Sequence, residues 1–164
     1  MKGIIIYATK NGCTEKAVKL LQSKSPEEIK TVNVAREKAP DLSLFDTVIL
    51  GGPIYVGKIL KVLSVYMQQN REVLKRKRLA LFICAGEQDP AIIEKLLASA
   101  FPEELFSCAI MREDFGGELH LDKLSLMTKL ILRVVKGIKE DYSRLSEVKI
   151  DRLARGVFEG EKQE

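Results

Sequence analysis

Histidine and cysteine are scarce: the 164 residues hold one histidine, His120, and three cysteines, Cys13, Cys84 and Cys108. An odd number of cysteines without CxxC spacing suggests neither a disulfide framework nor a zinc site, and free thiols fit a reducing compartment. The lone His120 reads equally as a surface residue or a proton carrier. No uninterrupted apolar stretch approaches the length of a membrane span, and the start of the chain lacks the basic, apolar and small-residue regions of a signal peptide. A cytoplasmic protein is therefore expected. A net charge of +4 and a pI of about 8.9 are too mild for a nucleic-acid partner, though a basic face would suit anionic lipid or substrate carboxylates.

What the chain does contain is the material of one globular unit. With 46% hydrophobic and 30% charged residues, a single domain over residues 1–158 is expected, followed by a frayed tail at 159–164. Residues 3–8 form a continuous apolar run, the pattern of a central strand covered on both faces. Further strands are expected over 29–34, 46–52, 79–85 and 107–113. Helices are expected from Cys13 to about Lys24, over 58–75, from the Asp89-Pro90 cap to about Ala100, and over 146–158. The run Lys75-Arg76-Lys77-Arg78 reads as a solvated helix end. Alternating strands and helices imply an α/β fold with a five-stranded parallel sheet, order 2-1-3-4-5, between two helical layers. Ligands of such sheets sit beyond the carboxyl ends of the strands, beside the first.

The stretch Thr9-Lys10-Asn11-Gly12-Cys13-Thr14 stands at that edge. A helix start offers unpaired amides and the positive end of the macrodipole, Gly12 allows close approach of a ligand, and the threonines add hydroxyl donors. The alternative is an ordinary turn with Thr14 as the helix cap. After the third strand, Pro53, Ile54, Tyr55, Val56 and Gly57 shape a turn able to present Ile54 or Tyr55 to a flat ring. After the fourth, Cys84, Ala85, Gly86 and Glu87 offer close backbone approach and a polar side chain.

The pattern Tyr7-x-Thr9-x-x-Gly12-x-Thr14 resembles the phosphate loop of the flavodoxins. The resemblance implies a flavodoxin-like fold and FMN as cofactor, with residues 9–14 at the phosphate, 53–57 on one side of the ring and 84–87 on the other. Two rival phosphate-binding folds fit less well. Cys13 sits where low-molecular-weight tyrosine phosphatases place a nucleophile, but the sixth residue after it is Lys19 rather than arginine. Response-regulator receivers need acidic residues where this chain has Thr9 to Thr14, and an aspartate where it has Gly51-Gly52.

Residues 121–136 are the unusual segment. Leu121, Leu124, Leu126, Met127, Leu130, Ile131, Leu132, Val134 and Val135 wrap almost entirely round a helix whose charges, Asp122 apart, are cationic. A core helix packed on the sheet is the plain expectation; a partner-binding or membrane-surface helix is the other. Phe115-Gly116-Gly117-x-Leu119, Lys129-Leu130-Ile131 and Asp141-Tyr142-Ser143 resemble the flavodoxin-domain family that includes the menaquinone-dependent protoporphyrinogen oxidases. That resemblance implies a quinone-linked oxidoreductase acting on a porphyrinogen, with peripheral membrane contact through 121–136 on the inner face. The other expectation is an electron carrier that docks on a redox partner protein and has no substrate of its own.

Overall fold

In the computed structural model, the described residues are 2–10, 12–119, 124–135, 137 and 140–160. Asn11, His120, Leu121 and Asp122, among the residues singled out above, lie outside them, as do position 136 and positions 161–164 of the expected tail.

The sheet is built on β1 (Gly3–Tyr7), in which every residue is buried. It pairs in parallel with β2 (Ile29–Asn33) on one side and β3 (Thr47–Tyr55) on the other. Beyond β3 come β5 (Arg78–Cys84) and β6 (Met111–Asp114), also parallel. The parallel order β2-β1-β3-β5-β6 is the expected doubly wound arrangement, with β4 (Lys58–Ile59) added antiparallel to the end of β3.

The apolar run of β1 serves two layers at once, because successive side chains leave opposite faces of a strand. Ile4, Ile6 and Ala8 enter a core with Leu50, Leu63, Met67, Leu81 and Phe101. Ile5 and Tyr7 enter another with Val18, Leu21, Phe82, Phe115 and Leu153. The first layer is roofed by α2 (Lys61–Gln69), α3 (Arg71–Leu74), α4 (Pro90–Ala100) and α5 (Glu103–Cys108), the second by α1 (Cys13–Ser23) and α7 (Glu147–Phe158). Each fully buried isoleucine of β1 contributes roughly 1.5–3 kcal/mol of apolar transfer.

Several expected elements are redrawn. β3 runs through its glycines and Pro53 to Tyr55, so 53–55 are strand rather than turn; β1 stops opposite Gly51, so one edge of β3 is already free of its ladder when the proline arrives. Gly51 is needed because the Phe82 ring occupies the space of a Cβ. The helix expected over 58–75 is β4, α2 and α3. Asn70 divides the helices, its side chain donating to the Tyr66 carbonyl at 2.9 Å and competing with continuation. Ser107 and Cys108 end α5, and the strand expected there begins at Met111. Arg78 is not a solvated helix end: its guanidinium donates to the carbonyls of Gly156 at 3.2 Å and Val157 at 3.3 and 3.2 Å, closing the end of α7.

The larger departure is between β6 and α7. A two-stranded antiparallel sheet, β7 (Glu118–Leu119) with β8 (Tyr142–Ser143), stands apart from the main sheet. The segment joining its strands carries α6 (Leu126–Val135), which buries no residue. The core helix expected over 121–136 is therefore corrected: Leu126, Met127, Val134 and Val135 are 74–84% exposed. Among the described residues no helix is long and apolar enough to cross a membrane.

Candidate functional site

Three loops leave the carboxyl edge of neighbouring strands, because Tyr7 of β1, Gly51 of β3 and Phe82 of β5 lie in register. The first is held from β2. Buried Asn33 accepts from the Thr9 amide through Oδ1 and donates from Nδ2 to the Thr9 carbonyl, both at 3.4 Å. Gly12 is the N-cap of α1, in ordinary helical conformation, and no side chain caps the helix. Thr14 is therefore not the cap. Its hydroxyl is buried and makes no hydrogen bond of good geometry, the Cys84 sulfur being only a weak partner, so it is poorly satisfied for a buried donor. The amides of Cys13, Thr14 and Glu15 precede the first helical acceptor, Gly12 O, which takes the Lys16 amide at 3.0 Å. A Cβ at Gly12 would meet nothing within 4 Å, so the approach to these amides is open. Lys10 is exposed beside it.

The second loop is a tight reversal. Val56 (φ 48°) and Gly57 (φ 73°) form a two-residue reversal between β3 and β4, with the Val56 side chain 85% exposed. Ile54 packs on the first core layer and Tyr55 is half-buried.

The third loop is pinned by Asp114 and Arg144, which sequence reasoning did not single out, and by Tyr142, which it did. Asp114, 2% exposed, accepts from the amides of Ala85 at 3.3 Å and Gly116 at 3.0 Å, and from Lys149 Nζ at 3.3 Å. The Tyr142 phenol fills the place a Cβ would take at Gly86. Arg144 donates to the Gly86 carbonyl at 2.9 Å and lies 4.5 Å over the Tyr142 ring. Glu87 turns inward on its own loop, accepting from the amides of Gln88 at 2.7 Å and Asp89 at 3.0 Å.

The β7–β8 hairpin joins the first loop to the third. Glu118 takes Lys16 Nζ and the Ser143 hydroxyl, each at 2.8 Å, while Gly117 packs against Ala85 and the Gly86 amide. Cys13 is half-buried and Cys84 buried. The influence of the Cys84 thiol, supported by the Glu118 amide, holds the Cys13 thiol below its ordinary value against the opposing effect of burial. The Cys13 thiol and burial push Cys84 well above its ordinary value, against the influence of the Thr14 hydroxyl. The signal for the hairpin lay in the flanking segments 115–119 and 141–143, whose pairing only the fold reveals.

Chemically, the edge offers backbone and hydroxyl donors to an anion, and among the described residues no set of acid, base and nucleophile. Lys19, the residue in place of a phosphatase arginine, pairs with Glu15 at 3.5 Å on the exposed side of α1. No metal-binding group of three or more histidines, cysteines or carboxylates occurs among the described residues. A pocket lined by Lys24, Pro26, Asp151 and Phe158 lies at the opposite end of α1, away from these loops.

Residues 4–146 match the model of the flavodoxin domain. No curated protein matches the chain. Among solved structures, a flavodoxin from the domain Archaea is 16% identical with a TM-score of 0.59, covering 99% of this chain and 100% of that one. A flavodoxin, WrbA-like protein from Agrobacterium tumefaciens is 12% identical with a TM-score of 0.58, covering 99% and 98%. Rubredoxin oxygen:oxidoreductase from Desulfovibrio gigas is 13% identical with a TM-score of 0.61; 98% of this chain matches only 36% of that one. At these identities the likeness concerns the fold.

Proposed function

Because the chain belongs to the flavodoxin-domain family, we propose that its carboxyl edge holds FMN noncovalently for redox chemistry. The observation that carries this reading is the buried Thr14 hydroxyl in the first turn of α1, which makes no hydrogen bond of good geometry, beside the open approach at Gly12. A phosphate there receives the Thr14 hydroxyl and the leading amides of the helix, which need no basic side chain to hold it. Thr9, Lys10, Asn11, Gly12 and Cys13 complete that loop. Gly86 and Ala85, fixed by Asp114 and Arg144, offer backbone groups to the ring's polar edge, and Tyr55 to Gly57 bound the other side. Tyr142 joins them, because it lies on Gly86. When bound, the flavin supplies the acceptor and donor of electrons, and the protein's part is binding, orientation and control of water.

The finer reading is a quinone-linked oxidation of a porphyrinogen, with α6 as a peripheral membrane contact. It is supported by the exposed apolar side chains of α6, whose charges are Lys129 and Arg133. The first test is the visible spectrum of the purified protein after adding FMN and removing the excess. A retained, perturbed flavin band is expected; its absence overturns the cofactor. Quinone-dependent consumption of protoporphyrinogen by the loaded protein is expected next, and flavin that is retained without such turnover leaves an electron carrier serving a redox partner protein.

A further inference from the structure

The β7–β8 hairpin stands apart from the main sheet yet touches both the helix that follows the first loop and the backbone of the third. On one side Glu118 of β7 takes the Lys16 ammonium, one turn into α1, at 2.8 Å. On the other, Gly117 packs against Ala85 and the Gly86 amide, the Tyr142 phenol of β8 lies on Gly86, and Arg144 donates to the Gly86 carbonyl at 2.9 Å. Glu118 also accepts from Ser143 Oγ at 2.8 Å, so the carboxylate that reaches α1 is tied to both strands of the hairpin.

A ribbon of two residue pairs has little stability of its own, so its place is set by what it rests on. Its root is fixed: the Ser146 amide donates to the Phe115 carbonyl and the Arg144 amide to the Gly117 carbonyl, each at 2.7 Å. Gly116 joins β6 to this root at φ 78°, a conformation in which glycine is at ease and about which the backbone can turn. The hold on α1 is an ion pair whose Glu118 side chain is 8% exposed and whose Lys16 side chain is 64% exposed.

Resting on the FMN reading, we propose that the β7–β8 hairpin is a strap across the cofactor, with Lys16 and Glu118 as positioning residues that keep it shut and so set how fast FMN leaves. Closed, it spans from the helix behind the phosphate loop to the loop assigned to the ring's polar edge. With the ion pair broken, it turns outward at Gly116 and the cofactor is released sooner. Charge alone predicts the opposite sign for one of the two residues. Glu118 is an acid beside the loop assigned to the phosphate, so neutralising it would by simple electrostatics hold an anionic ligand longer.

The test is the dissociation rate of FMN from the loaded chain, read as the recovery of flavin fluorescence on dilution, in wild type, Glu118→Gln, Glu118→Asp, Lys16→Met and the Lys16→Met/Glu118→Gln double variant. Release roughly two- to fivefold faster is expected in each single variant, the range for an ion pair with one exposed member. The double variant is expected to release FMN no faster than the singles, because both changes break the same pair. Glu118→Asp keeps the charge and only draws it back from Lys16, so it decides the matter even if Glu118→Gln fails to fold. Slower release from Glu118→Gln, or wild-type rates from either Glu118 variant, overturns the strap and leaves the FMN reading standing. A wild-type chain that retains no FMN overturns both.

Discussion

The Asp114 carboxylate at the end of β6 accepts the amide of Ala85, the first residue beyond β5, at 3.3 Å. One buried acid thereby fixes the loop after β5, the Gly116 turn and Lys149 of α7. In Asp114→Asn the retained oxygen still accepts from an amide, but the new amide nitrogen faces the Lys149 ammonium, donor against donor. A loss of about 1–3 kcal/mol is expected from a buried network with an unmet donor. Urea unfolding checks it, and a weaker FMN affinity in the same variant is expected because Ala85 and Gly86 lose their anchor. In the double variant with Lys149→Met, the cost is expected to be less than the sum of the single ones, since both changes break one ion pair.

Gly12 separates ligand binding from folding. Its backbone is helical and a Cβ there meets no atom, so Gly12→Ala is expected to change stability by less than about 0.5 kcal/mol. Gly12→Asp places a carboxylate where a phosphate would lie, and like charges at contact distance repel by several kcal/mol at protein-surface dielectric. An FMN dissociation constant raised on the order of tenfold or more, with an unchanged unfolding curve, is expected for the aspartate. Equal affinity for wild type and Gly12→Asp would place the phosphate elsewhere.

The parallel sheet was legible because β1 is a run of apolar residues that serves two cores, and such runs have few other uses. The first loop was legible for a related reason, since a glycine and two threonines between strand and helix have local consequences. The clamp at the third loop was not. Tyr142 meets Gly86, and Glu118 meets Lys16, across 56 and 102 positions, and no local pattern encodes such pairings. Helix α6 misled for the opposite reason: its sequence is what a core helix would have, and only the fold shows that it lies between β7 and β8 with no layer to cover it.

Val56 holds a strained place. A β-branched residue at φ 48° costs about 1–2 kcal/mol against a residue at ease in that region, and with 85% exposure its side chain recovers little by packing. Val56→Asn is expected to raise stability by about 1 kcal/mol, seen as a melting temperature higher by about 2–4 °C for a chain of this size. A variant that is more stable yet binds FMN more weakly would mark Val56 as a residue kept for the flavin edge at the expense of the fold.

Tyr66 gives the chain a distinctive alkaline response. Its hydroxyl is buried in α2 without a hydrogen-bond partner, and burial pushes the phenol from 10.0 up to about 12. The sign follows from which state holds the proton. Below pH 10 both folded and unfolded chains keep it and stability is insensitive to this group. As pH rises from about 10 towards 12 the unfolded chain releases the proton while the folded one retains it, so stability falls. Tyr7 and Tyr142 are shifted in the same direction, chiefly by burial, so they add to the fall above pH 10. Tyr66→Phe removes the unmet hydroxyl and one titrating group together. It is expected to be as stable as wild type or up to about 1 kcal/mol more stable at pH 7. Between pH 10 and 12 it is expected to lose less stability than wild type, with Tyr7 and Tyr142 supplying the remaining fall. Urea midpoints measured across that range decide the matter; parallel curves for the two proteins would mean that the Tyr66 phenol is solvated.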